Sequence, residues 1–295
     1  MSVPKVSIIT ASFNLVKEGR GDSFLKLCQS VQEQSYDNIE HVIIDGGSED
    51  GSLEMIKAYA DNYKNVKMLS KKDNGIYQAF NRGVRKARGE YIIFIGTDDF
   101  YHDKDGIKRA VSAIERLGVD GVFSQVRVLK PSGEVHLGIS SCRYLIRHMS
   151  ILHPSLLLRK KTIMDMGGFD ESFAILSDYK LVLGLFLAGY RLKPINNNFV
   201  SFPASGISSN GEAVSKEMAR FHKEIYGGYK NYSYDEWYRF RKRKVLPLPI
   251  TCKIMMDGKR PLFVRFCAFC ETVRTLRKML LPLSVRSLRK KIKAG

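Results

Sequence analysis

The sequence predicts an α/β fold in which a mostly parallel sheet is covered by helices on both faces, and three observations carry that prediction. Strand-like and helix-like segments alternate from Val6 to Leu129, and successive βα units that feed parallel strands leave their helices on the sheet faces. Tyr91–Ile95 is a short apolar run without polar alternation, as suits a strand buried on both faces of a parallel sheet. The first four strands all end in polar residues, at Thr10–Asn14, Asp45, Ser70–Asp73 and Asp98–Asp99. Open sheets of this kind take ligands outside the carboxyl ends of their strands.

Val6–Thr10 reads as the first strand, with a polar turn at Ser12–Asn14, and a helix from about Ser23 to Gln34 buries Phe24, Leu27, Cys28 and Val31. Ile39–Ile44 is the second strand and runs into D-G-G-S-E-D-G at 45–51, a turn through which backbone can approach a ligand closely. A helix over Ser52–Asp61 and a strand over Val66–Leu69 come next. Asp73-Asn74-Gly75 then opens a helix with Ile76, Phe80, Val84 and Ala87 on one face. The strand Tyr91–Ile95 ends at Asp98 and Asp99, two adjacent acids able to hold a hard divalent cation through oxygen ligands. A helix near Lys104–Leu117 and a strand over Gly121–Leu129 complete the regular half.

The second half is less regular. Pro131-Ser132-Gly133 marks a hairpin tip before Val135–Leu137, and Leu152-His153-Pro154 precedes an apolar run, Ser155–Leu158. Asp178 follows G-G-F-D-E-S-F at 167–173 and opens an apolar helix, Tyr179–Ala188, whose first turn favours a carboxylate. Residues 205–211 form a Gly/Ser loop.

At 295 residues the chain suits one large domain with an appendage. Its net charge of +18 is uneven: residues 241–295 hold 16 Lys and Arg against Asp257 and Glu271. Five cysteines without framework spacing point to a reducing compartment. The start runs directly into a strand, so no signal peptide is expected, and the longest apolar run, Leu181–Tyr190, is too short to cross a bilayer.

Six stretches taken together resemble the family 2 glycosyltransferases of GT-A fold, with their Rossmann-like sheet, and especially the bacterial enzymes that build surface polysaccharides such as colanic acid. They are V-S-I-I-T-A-S-F-N, I-I-D-G-G-S-E-D-G, K-D-N-G-I-Y-Q-A-F-N-R-G, F-I-G-T-D-D, then G-G-F-D-E-S-F with A-I-L-S-D-Y, and S-G-I-S-S, in that order between residue 4 and about 225. The chain departs from the family pattern at Gly96 and Thr97 (in place of the first acid of a D-x-D and its neighbour), at Gln78 and at Ser205. The resemblance implies an inverting transfer from a nucleotide-diphosphate sugar, UDP-linked in preference to GDP-linked, to a hydroxyl of a glycan or lipid-linked acceptor. Thr10, Ser12, Asn14, Asp45, Asp73 and Asp98 would line the nucleotide sugar, Asp98 and Asp99 would flank Mn²⁺ or Mg²⁺, and Asp178 would be the base, with Asp170 or Glu171 next in line. His153 would contact metal, phosphate or acceptor. A glycosyltransferase domain over residues 1–225 and a basic helical extension over 226–295 are expected.

The basic end has its own readings. Leu262, Phe266, Phe269, Val273, Leu276 and Leu280 recur at intervals of four and three on a helix that also carries Arg265, Arg274, Arg277 and Lys278; Pro282 breaks it and Ser284–Lys293 resumes a shorter one. Docking on the anionic inner face of the cell membrane, by a cytoplasmic protein, is favoured. A self-associating helix is the rival. Nucleic-acid binding fits an amphipathic helix less well than a flat phosphate-tracking surface. A sugar nucleotidyltransferase would need a Gly-rich, basic phosphate loop where this chain has A-S-F-N-L-V.

Overall fold

A computed structural model of the chain describes residues 3–130, 132–138, 140–203 and 211–280. Pro131, the loop at 205–210, Pro282 and the helix expected at Ser284–Lys293 lie outside the described residues. The chain falls into two compact units, Met1–Leu145 with Met149–Asn210, and Ile146–His148 with Gly211–Gly295.

The first unit contains β1 (Val6–Ser12), α1 (Gly21–Gln32), β2 (Ile39–Asp45), α2 (Ser52–Asn62), β3 (Val66–Ser70), α3 (Ile76–Lys86), β4 (Tyr91–Phe94), β5 (Phe100–Tyr101), α4 (Gly106–Leu117), β6 (Gly121–Phe123), β7 (Val126–Leu129), β8 (Val135–Gly138), β9 (Leu156–Arg159), α5 (Lys160–Asp165), α6 (Ser177–Ala188), β10 (Leu192–Pro194) and β11 (Val200–Pro203). Seven strands form the main sheet in the order β10-β6-β9-β4-β1-β2-β3. All its pairings are parallel except those of β9, which runs antiparallel between β4 and β6. In β1 and β2 nearly every residue is buried, Ser7, Glu40 and His41 among them, as in strands covered on both faces. The register sets Thr10 beside Ile43 and Ser12 beside Asp45, so the polar ends of both strands emerge together.

Helix α3 lies so close on this sheet that a Cβ at Gly83 would come within 2.4 Å of the Ile9 side chain. Only glycine allows that approach, and it fixes the helix carrying Tyr77 and Asn81 relative to the strand ends. The single strand expected over Gly121–Leu129 is two strands in two sheets: β6 joins the main sheet, while β7 pairs with β8 and β11 in a four-stranded sheet ordered β5-β11-β7-β8. At the break the Ser124 carbonyl accepts from the Ser155 hydroxyl at 2.9 Å. Apolar periodicity cannot register such a change of partner, because both halves stay buried at their start.

The second unit is helical, with α7 (Gly211–Tyr226), α8 (Tyr234–Lys242), α9 (Leu248–Met256) and α10 (Leu262–Leu280). Helix α7, read from the sequence as part of the first domain, belongs here. Trp237, Tyr226 and Phe221 are wholly buried, and the Tyr226 hydroxyl donates to the Ile146 carbonyl at 2.6 Å. Ser233 and Glu236 form a reciprocal capping box that starts α8. Among the described residues no helix is long and apolar enough to cross a membrane.

Candidate active site

Two groups of polar side chains stand at the carboxyl ends of the main-sheet strands. The first is built on the loops after β1, β2 and β3. Asp45, with no exposed surface, accepts at Oδ2 from the Gly47 and Ser48 N–H groups and the Ser70 hydroxyl, and at Oδ1 from the Ser48 hydroxyl. Thr10 is equally buried and lies 3.0 Å from His41 Nε2. Both residues were expected to line a nucleoside; their oxygens hold hydrogen bonds within the protein that set the shape of the loops. Asn14 takes a left-handed conformation (φ 47°), with its N–H on the Ser48 hydroxyl at 2.8 Å and its Oδ1 accepting from the Glu49 N–H at 3.3 Å. Ser12 keeps a buried hydroxyl oxygen without a hydrogen-bond partner. Such a group is costly unless a ligand or water completes it. Asp73 accepts from the Gly75 N–H at 3.1 Å, and burial first, with the nearby Asp45 charge adding to it, raises its pKa above the ordinary carboxylate range.

The second group joins the end of β4 to the start of α6. Asp99 is almost fully buried and accepts from the Gly96 N–H at 2.9 Å. A Cβ at Gly96 would come within 2.9 Å of an Asp99 oxygen and 3.1 Å of an Asp98 oxygen. The glycine that replaces the first acid of the family pattern is therefore the residue that lets the two remaining carboxylates fold back together. Burial pushes Asp99 up to about 6, with Asp98 raising it further and His153 pulling it down. His153 lies in a short 3₁₀ turn, His153–Ser155, with Nδ1 at 3.2 Å from Asp178 Oδ2. Burial is the largest influence on this imidazole and lowers its pKa, but Asp178, Asp99 and Asp98 together raise it above the usual histidine value. A histidine held towards its cationic form thus faces three carboxylates.

Asp178 sits in the first turn of α6. Its Oδ1 is 3.2 Å from the Tyr77 hydroxyl, which also donates to the Ile175 carbonyl at 2.5 Å. Tyr77 stacks on Phe169 at 5.5 Å, and Asn81 binds the Phe169 backbone at both its N–H and its carbonyl. The two other candidate bases are tied down. Lys180, at 2.6 Å, holds Asp170 down to about 2, and Asn81, with Gln78 assisting, lowers the Glu171 pKa. Only Asp178 combines the α6 start with the His153 and β4-end group. Tyr77 and Asn81 had no role assigned from the sequence, although both lie in the K-D-N-G-I-Y-Q-A-F-N-R-G stretch; their spacing on α3 is the signal that finds them.

Among the described residues no three His, Cys, Asp or Glu side chains form a group able to hold a metal by themselves. The Asp98–Asp99 pair fits a hard cation in a different way, as one or two carboxylates that share the ion with substrate phosphates and water. The upward shift of Asp99 comes first from burial, which His153 offsets only in part.

Residues 7–147 match the model of glycosyl transferase family 2. The chain is 27% identical over 233 residues to an uncharacterized glycosyltransferase of Mycobacterium tuberculosis, covering 74% of this chain and 83% of that one. It is 26% identical over 189 residues to a PGL/p-HBAD biosynthesis glycosyltransferase of Mycobacterium bovis, covering 63% and 71%. Among solved structures it is similar to S. aureus TarS 1–349 in complex with UDP-GlcNAc (TM-score 0.62, 16% identity, 92% of this chain and 88% of that one). It is also similar to a mannosyltransferase of Pyrobaculum calidifontis in complex with GDP-Man and Mn²⁺ (TM-score 0.61, 15% identity, 99% and 80%). With motifs, sheet order, strand-end carboxylates and relatives in agreement, residues 7–147 carry a family 2 glycosyltransferase domain, and the chain has the GT-A fold.

Proposed function

We propose that this enzyme moves a sugar from a nucleotide-diphosphate donor, a UDP-sugar in preference to a GDP-sugar, to a hydroxyl of a glycan or lipid-linked acceptor, with inversion at the anomeric carbon. The observation that carries the reading is the arrangement of Asp178 on His153 and Tyr77 beside the Asp98–Asp99 pair. Asp178 would accept the proton of the attacking hydroxyl, and the two contacts that hold its carboxylate keep it aimed during attack. Asp98 and Asp99 would hold a divalent cation, which when bound neutralises charge on the departing diphosphate. His153, shifted towards its cationic form by Asp178, Asp99 and Asp98, would offset part of their charge. Ser12, Asn14 and Asp73 would meet the nucleoside, while Thr10 and Asp45 would shape the loops that present them.

Thermal unfolding against a panel of UDP- and GDP-sugars, with and without Mn²⁺ or Mg²⁺, tests this reading, because a ligand of the native state raises the melting temperature. A UDP-sugar plus cation should stabilise most. Equal stabilisation by the same sugar in chelator would remove the metal from the scheme, and no response to any donor would remove the donor assignment.

The basic second unit supports a place on the anionic inner face of the cell membrane. On α10 the side chains of Leu262, Phe263, Phe266, Phe269, Val273 and Leu276 are 39–78% exposed, and Arg265 and Arg277 flank this stripe. The helix's sole acid, Glu271, is 2% exposed, so a second copy would oppose arginine to arginine. An anionic bilayer complements the flanks and accepts the apolar face, each basic residue near it contributing about 1 kcal/mol. The Phe263, Phe266 and Phe269 triple serine variant should leave phosphatidylglycerol vesicles while still transferring to a soluble acceptor. A full-length protein that ignores such vesicles, yet loses a concentration-dependent dimer in the variant, would assign the stripe to self-association.

A further inference from the structure

Within the second unit, cations gather around one buried acid. Glu271 accepts from Arg147 Nε at 3.0 Å and from Arg274 at 3.2 Å. Lys278 Nζ and Arg274 donate to the carbonyls at the end of α8, Lys278 to Arg243 and Lys244 at 3.2 and 3.0 Å and Arg274 to Lys244 at 2.9 Å. Arg241 lies close enough to act on His148 and His222 and keeps a buried Nε without a hydrogen-bond partner. We propose that this cluster is a binding site for the phosphate or diphosphate oxyanion of a lipid.

Closing the end of a helix needs about half a unit of positive charge, which one lysine supplies. Arg147, Arg241, Lys244, Arg274 and Lys278 bring full charges to one place, against the single carboxylate of Glu271. Their mutual repulsion reaches the surrounding groups. Lys278 is pushed down to about 8 by burial and then by Arg274 and Arg147, and His148 is pushed down to about 4 by burial and then by four basic neighbours. Lys244 adds an independent sign. It sits at φ 52°, a left-handed position that is strained for a residue with a side chain and that glycine would occupy freely. The chain bears that strain and holds a cation there. The cluster is closed on the Arg147 side, where the side chain is 13% exposed, and open on the Arg274 side at 31%. An entering oxyanion would therefore meet Arg274, Lys278 and Lys244 first. Guanidinium groups suit phosphate because they offer paired donors in a plane, and a lysine adds a point charge.

Two sources share this chemistry, a phospholipid headgroup and the diphosphate of a lipid-linked sugar. The inference does not use the donor site, and stabilisation by UDP reports on that site separately. In full-length protein saturated with UDP, pyrophosphate should slow the acetylation of Lys278 and Lys244 read by mass spectrometry. Arg274→Gln should weaken the pyrophosphate effect about tenfold, the loss expected of one charge-assisted contact, with stabilisation by UDP unchanged. If phosphatidylglycerol vesicles protect the two lysines, the source is the headgroup; if a short-chain polyprenyl diphosphate protects and the vesicles do not, it is the lipid-linked diphosphate. Absence of protection by all three probes in the wild-type protein overturns the site, as does undiminished protection in Arg274→Gln.

Discussion

Asp178→Asn should lower turnover about a thousandfold, the scale of general-base catalysis, while donor affinity measured by binding should stay near that of the wild-type enzyme. Asparagine keeps the shape of the side chain and can still meet the Tyr77 hydroxyl, 3.2 Å away, through its amide oxygen. What it loses is the capacity to take a proton from the acceptor. No neighbour can replace it: Asp170 is bound to Lys180 and held at about 2, and Glu171 is occupied by Gln78 and Asn81. A group that acts only in the transition state lowers kcat without changing ground-state binding. Turnover close to wild type at saturating donor would move the base elsewhere in the site.

Asp99→Asn separates stability from function in the opposite direction. The folded-state pKa of Asp99 is raised to about 6, so the native protein holds that proton more tightly than the unfolded chain does. The wild type therefore bears no penalty at low pH, where both states are protonated, and a growing one as pH rises through the unfolded value to about 6. Asparagine removes the buried charge and can still accept from the Gly96 N–H. Chemical denaturation at pH 8 should find the variant more stable by roughly 1–2 kcal/mol, with the gain absent near pH 3. The stabilisation that cation and donor are expected to give the wild type should be lost in the variant. A variant that is less stable at pH 8 would mean that Asp99 supports the fold through its loop contact more than its burial costs.

Much of the first unit is legible in the sequence because its signals are local. An unbroken apolar run marks β4, β-branched clusters such as Ile8-Ile9 and Val42-Ile43-Ile44 mark β1 and β2, and the 3.6-residue spacing of Phe80, Val84 and Ala87 marks α3. Short edge elements carry no such signal: β5 has two residues, β10 has three, and both exist through pairing with distant strands. The helices α7, α8 and α9 escape for a related reason. Part of their packing joins aromatics of different helices, Tyr226 of α7 against Trp237 of α8, a pairing that spacing along one helix does not show.

By itself the sequence determined the fold class, the family and the order in which polar residues reach the strand ends, since all three depend on residue type and spacing along the chain. Tertiary structure alone decided what each of those residues meets. Thr10 and Asp45 turn inward to His41 and to the Ser48 and Ser70 hydroxyls, whereas Tyr77, His153 and Asp178 meet although they are 25 to 101 residues apart. Spacing along a strand or helix predicts which way a side chain alternates; it holds no information about what stands opposite. The charge state of Asp99 and the crowding of cations about Glu271 arise from burial and from neighbours distant in the chain, and become definite only when the fold brings them together.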